Sequence, residues 1–339
     1  MRFGQRRERA ELSRSRGVRT WAARVLTVSA VALTMPATIG ISAAPALPGS
    51  GIVHRTPAGG REDLMVPSSM GPIKVQVQWA KRGGSSALYL LDGQAARDDV
   101  NAWTFETNAL QQFENDDVTL VMPVGGMSSW YQDWTSPSNT NGQKFTYKWE
   151  TFLSKELPDF LANYGVSKTN NAVAGLSMSG SAALMLAAFH RDQFKFAASY
   201  SGALNISAPG MREAIRVATL RHGAYNIDSM APPWSPQWLR MDPFVFAQNL
   251  RGLPMHISSG SALPGEWDHP ASAGAVFDTG VAMGIEAVTL LNTRSFQARL
   301  NSLGIPATWS FPATGTHSWK YWEAELWSSR TEILSALKA

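Results

Sequence analysis

The sequence predicts an α/β fold in which helices cover both faces of a largely parallel sheet. Three observations carry that expectation: short apolar runs without polar alternation, helix-like stretches between them, and an ordinary globular composition of 44% hydrophobic and 17% charged residues over 339 positions. A chain of this length can bury a large core. The 28 Gly and 19 Pro are scattered, which excludes collagen-like and low-complexity chains. There is no Cys, so disulfides, thiolate metal sites, iron-sulfur clusters and a cysteine nucleophile are all excluded.

Reading from the N-terminus, residues 1–24 carry eight Arg against two Glu, ahead of an apolar run from Val25 to Ile41. The small residues Ser42, Ala43, Ala44 and Ala46 follow. A basic region, an apolar core and a small-residue cleavage zone predict a signal peptide over 1–46 and a single domain over 47–339. A retained signal anchor is the alternative, although Pro36 and Gly40 interrupt the run. Arg6-Arg7 raises twin-arginine export, but no apolar residue follows at the spacing that route prefers. The formal charge of +4 is concentrated in this leader, and the remainder of the chain is slightly acidic. That balance argues against a nucleic-acid partner, which needs a concentrated basic face. No other stretch approaches 18 consecutive apolar residues.

Beyond the leader, Ile73 to Trp79, Ala87 to Leu91, Val118 to Pro123, Asn171 to Ala174, Phe196 to Ser201, Leu253 to Ser259 and Ala307 to Phe311 are the expected strands. Between them, 148 to 163 places Trp149, Phe152, Leu153, Leu157, Phe160 and Leu161 on one helical face, and Ala182 to Phe189 is almost wholly apolar. Residues 204–250, with Trp234, Trp238 and the run Ala-Pro-Pro-Trp-Ser-Pro, break the rhythm and predict an irregular or short-helical insertion near a site.

The most informative stretch runs from a strand through Gly175-Leu176-Ser177-Met178-Ser179-Gly180 into an Ala/Leu-rich helix. Strand, tight turn and helix is the context in which a serine sits exposed above a sheet near a helix N-terminus. Small neighbours are required there, and Gly175 and Ser179 qualify; the usual motif has glycine where Ser179 stands. A Gly/Ser-rich helix cap would read similarly. A serine nucleophile needs a histidine base, and the histidine needs a carboxylate, in the chain order serine, acid, histidine. His317 lies on the loop after the last strand, in Pro312-Ala313-Thr314-Gly315-Thr316-His317-Ser318-Trp319. His190 is expected at the surface after an apolar helix; His222, His256 and His269 have less suitable settings, and His54 precedes the core. Two locations compete for the acid: Glu266 or Asp268 after the strand before last, and Glu286 ahead of the helical run through Phe296 and Leu300. Backbone donors for an oxyanion are expected from Met178 and from the loop Leu91-Asp92-Gly93-Gln94-Ala95, with Gly93 permitting a close turn and Gln94 supplying the amide. Trp234, Trp238, Leu239, Met241 and Phe244 are candidates to line an apolar entrance.

From about Val66 to Leu337 the chain resembles the antigen 85 family of secreted mycolyltransferases of mycobacteria and corynebacteria. The blocks carrying the resemblance are Tyr89-Leu90-Leu91-Asp92-Gly93, Met122-Pro123-Val124-Gly125-Gly126, Ser128-Ser129-Trp130-Tyr131, Tyr147-Lys148-Trp149-Glu150-Thr151-Phe152-Leu153, Gly175-Leu176-Ser177-Met178-Ser179-Gly180 and Gly315-Thr316-His317-Ser318-Trp319. It implies an α/β-hydrolase fold with Ser177 as nucleophile, His317 as base and Glu286 as acid, in place of Glu266 or Asp268. It also implies oxyanion donors at Gln94 and Met178, with Asp92 and Trp319 near a sugar, and no metal or cofactor. The activity implied is transfer of a mycolyl group from trehalose monomycolate to a second trehalose monomycolate or to a cell-wall arabinan hydroxyl. Secretion and cell-wall association follow from the same resemblance, as do glycolipid acceptors, contact with the outer lipid layer and, by resemblance alone, fibronectin binding.

The chain departs from the family pattern at Ala95, where an arginine is common, at Glu106, where an asparagine is usual, and at Gln94, where leucine is common. Without that planar guanidinium, sugar recognition is expected to differ. The cysteine of some members is absent, with Ser258-Ser259-Gly260 in that region. Two other functions remain open from sequence. A secreted serine carboxylesterase would pass the acyl group to water, and a wall-associated binding protein would have no use for the triad.

Overall fold

The structure, a computed structural model, describes residues 55–339. The segment read as a signal peptide, 1–46, and His54 lie outside the described residues. Eight strands form one sheet: β1 (Arg61–Val66), β2 (Ile73–Gln78), β3 (Ala87–Leu91), β4 (Thr119–Pro123), β5 (Asn171–Leu176), β6 (Phe194–Tyr200), β7 (Met255–Ser258) and β8 (Thr308–Ser310). Their spatial order is β1-β2-β4-β3-β5-β6-β7-β8. The pairs β1/β2 and β2/β4 are antiparallel, and every neighbour from β4 to β8 is parallel. This is the α/β-hydrolase architecture, with an antiparallel edge added to the expected parallel sheet.

The strands found from sequence match the interior of the sheet because β3, β4 and β5 are buried along their whole length. β1 went unread. Its sequence REDLMV buries only Leu64 and Val66, so it carries little of the apolar signal that marks a central strand. Alternate residues of each central strand enter opposite cores, as the two-residue repeat of a strand requires. Tyr89, Leu91 and Val173 meet α1 (Met178–Phe189), while Leu88, Leu90 and Ala174 meet Trp322, Leu326 and Ile333 on the far face. The result is helix, sheet, helix.

The stretch 148–163 is helical but interrupted, since Trp149–Thr151 and Leu157–Leu161 are joined by a π-helical turn over Phe152–Glu156. The insertion at 204–250 contains α2 (Met211–Arg221) and then short turns, three of which are capped by the side chains of Asn226, Ser235 and Asp242. After β7 comes a longer element than the sequence suggested: α3 (Ala273–Ser302) spans 30 residues behind the capping hydroxyl of Ser272. Glu286 therefore lies inside a helix, rather than ahead of one. The helix runs through Gly280 and Gly284, where a Cβ at either would meet open space. α4 (Trp319–Leu337) closes the chain.

Connectivity fixes where a site can form. The chain leaves β3 towards β4 on one side, and leaves β5 towards β6 on the other. The loops at the carboxyl ends of β3 and β5 thus diverge, opening a crevice at the switch point where open α/β sheets bind ligands. Ser177 and the 92–95 loop are the two lips of that crevice.

Candidate active site

Ser177 sits at φ +51° and ψ −121° between the last residue of β5 and the first of α1, a conformation that L-residues rarely adopt. The strain is held by close packing. A Cβ on Gly175 would lie 2.1 Å from the Ser179 carbonyl oxygen, and one on Gly180 would lie 2.8 Å from the Gly202 Cα. Ser179 is more than a small residue. Its hydroxyl accepts from the Leu176 amide at 2.9 Å and reaches the Leu91 carbonyl at 3.1 Å, stitching the ends of β5 and β3 together. A glycine there could do neither.

One line of hydrogen bonds joins the serine, the histidine and one carboxylate. His317 Nε2 lies 2.8 Å from Ser177 Oγ, and His317 Nδ1 lies 2.8 Å from Glu286 Oε2. The other carboxylate oxygen, Oε1, accepts from Ser201 Oγ at 2.8 Å, Ser259 Oγ at 2.9 Å and the Gly260 amide at 2.6 Å. Glu286 is wholly buried. Burial pushes its carboxyl up, but His317, Ser201 and Ser259 more than offset that, leaving it below its ordinary value. It is an ionised acceptor in a dry setting, suited to stabilising an imidazolium. The His317 backbone amide donates to Ala282 on α3 at 3.3 Å, and its ring meets the Trp322 indole edge-on at 4.9 Å. Trp322 Nε1 in turn donates to Ser201 Oγ.

Of the two acid locations left open by the sequence, only Glu286 touches the ring. Asp268 accepts from Thr316 Oγ1, Tyr321 OH and the Gly265 amide, so it fastens the loop next to the histidine. Glu266 is exposed. Among the other histidines, His190 is partly buried against Glu150, which also pairs with Arg240, rather than facing solvent alone. His256 is buried between Glu325 and Glu332. Among the described residues, no three His, Asp or Glu side chains are arranged to hold a metal ion.

The Gln94 and Met178 amides have no acceptor among the described residues, and both residues line the same cavity as Ser177 and His317. Gly93 is not in the left-handed region. Its want of a side chain instead lets Leu176 approach, since a Cβ would lie 3.0 Å from Leu176 Cδ1. Asp92 is buried, accepts from the Gly93 and Ala102 amides, and is pushed up to about 6 chiefly by burial, with the Glu106 charge adding to the rise. Trp319 packs edge-on against Trp103 and Trp322 at the cavity wall.

The cavity has a volume of about 720 Å³ and extends from Ser177 between α2 and α3, along Met211, Ile215, Ala218, Val281, Ile285 and Val288. The aromatic segment proposed as its entrance is elsewhere. Trp238 is buried beneath the Arg212 guanidinium, Met241 is buried in the core, and Trp234 is exposed away from the groove. Sequence reasoning also missed Arg97, which lines the same cavity as Ala95 and Glu106, paired with Asp99 and stacked over Phe105. Arg97 stands only two residues beyond the missing family arginine, a displacement that a position-by-position comparison passes over.

The family model described as putative esterase matches residues 68–333. Diacylglycerol acyltransferase/mycolyltransferase Ag85C of Mycobacterium leprae is 41% identical over 283 residues, covering 81% of this chain and 82% of its own. Ag85B of Mycolicibacterium smegmatis, of the same description, is 40% identical over 321 residues, covering 90% and 93%. Among solved structures, Mycobacterium tuberculosis MPT51 (FbpC1) superposes with a TM-score of 0.69 at 33% identity, over 83% of this chain and all of that one. An S-formylglutathione hydrolase from Agrobacterium tumefaciens shares the fold, with a TM-score of 0.60 at 12% identity over 83% of this chain and 96% of its own.

Proposed function

We infer the reaction from one premise: the chain belongs to the antigen 85 family of mycolyltransferases. It is a serine-dependent mycolyltransferase acting on mycolate esters. The finer reading is that the donor is trehalose monomycolate and the acceptor a second trehalose monomycolate or a cell-wall arabinan hydroxyl, which places the enzyme outside the cytoplasm in the cell envelope.

The reaction proceeds in two halves. Ser177 Oγ attacks the ester carbonyl as its proton passes to His317 Nε2, and the carbonyl oxygen becomes an anion facing the Gln94 and Met178 amides. Glu286 balances the charge on the ring. As the carbon–oxygen bond to the sugar breaks, His317 returns the proton to the departing alkoxide, leaving a mycolyl ester on Ser177. The acceptor hydroxyl then gives its proton to the same nitrogen, attacks the ester and releases the product, and Ser177 recovers its proton. Asp92 and Trp319 face the sugar, and the groove between α2 and α3 takes the lipid. The observation that carries this reading is the unbroken line of bonds from Glu286 through His317 to Ser177.

The test is incubation with trehalose monomycolate, followed by product analysis and mass spectrometry of the Ser177 peptide. Trehalose dimycolate and a mycolyl adduct on Ser177 are expected, and Ser177→Ala should give neither. Free mycolic acid as the sole product, with acceptor in excess, would make the protein an esterase.

A further inference from the structure

The segment that follows β4 adopts an unusual backbone. Gly125 and Gly126 have φ of +97° and +88°, and Ser128, Trp130 and Tyr131, all buried, have φ of +55°, +54° and +48°. Non-glycine residues in this region are strained, and three within four positions need a compensating purpose. Every one of the three touches a residue that borders the reacting oxygen. Tyr131 OH accepts from the Asp92 amide at 3.0 Å, and the Trp130 amide donates to Met178 Sδ at 3.3 Å. Ser128 holds Gln94 twice: its amide donates to the Gln94 carbonyl at 3.1 Å, and its hydroxyl accepts from Gln94 Nε2 at 2.8 Å.

The direction of these bonds is forced. Ser128 has one hydroxyl proton, which goes to the His222 carbonyl at the end of α2, 2.8 Å away. Its lone pairs are left for the Gln94 side-chain amide. Across the preceding peptide, the Gly93 carbonyl accepts from the Ala96 amide at 3.2 Å. In a trans peptide the N–H points opposite its carbonyl, so this bond aims the Gln94 N–H away from the turn and into the cavity. Gln94 is therefore held through the preceding carbonyl by the turn, and through its own carbonyl and side chain by Ser128.

We propose that Ser128 is a positioning residue for transition-state stabilisation, and that the Gln94 side chain is its partner, holding the Gln94 backbone amide aimed at the oxyanion before substrate arrives. A donor fixed in advance costs no reorganisation when charge develops, which is where such groups gain their effect. The role explains a glutamine at a position where its head group would otherwise be free to enter the cavity. The inference rests on the acyl-transfer reading above.

The experiment uses Gln94→Met, which keeps length and volume but removes the donor, and Ser128→Gly, which removes the hydroxyl where glycine adopts the positive φ without strain. Turnover of p-nitrophenyl butyrate is measured with the affinity for an alkyl boronic acid, whose tetrahedral serine adduct resembles the intermediate. Each variant should lose roughly threefold to tenfold in kcat, the worth of one hydrogen bond, with KM within about twofold. Boronate affinity should fall in parallel. In the double variant, Gln94→Met should add little to Ser128→Gly, because both remove the same bond. Unchanged kcat and boronate affinity in Gln94→Met would overturn the proposal, as would a rise in KM alone, which would make the glutamine a substrate contact. Full additivity would overturn it too. Failure of the wild-type protein to form a boronate adduct or to turn over the ester would instead remove the acyl-transfer reading itself.

Discussion

Glu286 presents its two oxygens to different partners, and that asymmetry predicts what an amide would do in its place. Oε1 receives three donors, so a glutamine must put its carbonyl there and turn its NH₂ towards His317. The imidazole would then have to accept at Nδ1 and carry its proton on Nε2, facing Ser177 with no base to offer. Glu286→Gln should lower kcat by about 10⁴ with little change in KM, the effect expected of a wrong tautomer, and steady-state kinetics would read it. The carboxyl is held below its ordinary value, so the stability it contributes is complete above the ordinary carboxylate range and is lost as pH falls through the folded value. Asp92 has the opposite sign. Raised to about 6, it binds a proton in the folded state that the unfolded chain has released, so its ionisation removes stability as pH climbs from the ordinary Asp value to about 6. Glu106→Gln should bring the Asp92 midpoint down and reduce that loss, as read by carboxyl carbon-13 NMR and by urea melts at both ends of the window. An unmoved midpoint would show that the Glu106 charge does not act on Asp92. Ser177 and His317 were legible because each sits in a short local pattern of Gly and Ser after an apolar strand. Glu286 lacked such a pattern, standing mid-helix among Gly, Ala and Val, and the hydroxyls that hold it come from β6 and β7 ends that only folding brings together.

Elements constrain the chemistry through their backbones, most sharply at the turn from β5 into α1. The Ser179 carbonyl that a Gly175 methyl would strike is backbone and cannot rotate away. Gly175→Ala should cost roughly 3 kcal/mol of stability by overpacking and lose turnover as Ser177 shifts. Gly280 in α3 makes the contrast, since it has open space and ordinary helical φ. Gly280→Ala should stabilise by about 1 kcal/mol and leave kinetics alone. Equilibrium urea denaturation of both variants checks the pair, and equal effects would mean that neither glycine acts through its surroundings. The same reasoning bears on two elements that leave little trace in the sequence. In α3 glycine is merely tolerated, and in β1 an edge strand carries Arg61, Glu62 and Asp63 outward, which leaves it without the apolar run of a central strand. The strands of the sheet centre were readable because burial on both faces leaves an apolar run that no loop shares.

At the scale of the whole molecule, the groove is made by α2 and α3, two helices that sequence reading did not associate because the turns of the insertion and all of β7 separate them. Aromatic residues drew attention to Trp238, but large rings are also what a core needs, and Trp238 spends its face on Arg212. The wall of the groove is aliphatic instead. Each methylene moved from water into such a wall is worth about 0.8 kcal/mol, so kcat/KM for p-nitrophenyl esters should rise by up to about fourfold per added CH₂ until the groove is filled. Ile285 lines the groove and is 44% exposed, so a charge there leaves folding intact while spoiling the wall. Ile285→Glu should flatten the dependence on chain length and change butyrate turnover little. Trp238→Phe should behave conversely, lowering the melting temperature through lost packing and keeping the wild-type dependence. If Trp238→Phe flattened the series and Ile285→Glu did not, the lipid would enter through the irregular segment, and the cavity between α2 and α3 would have to serve something else.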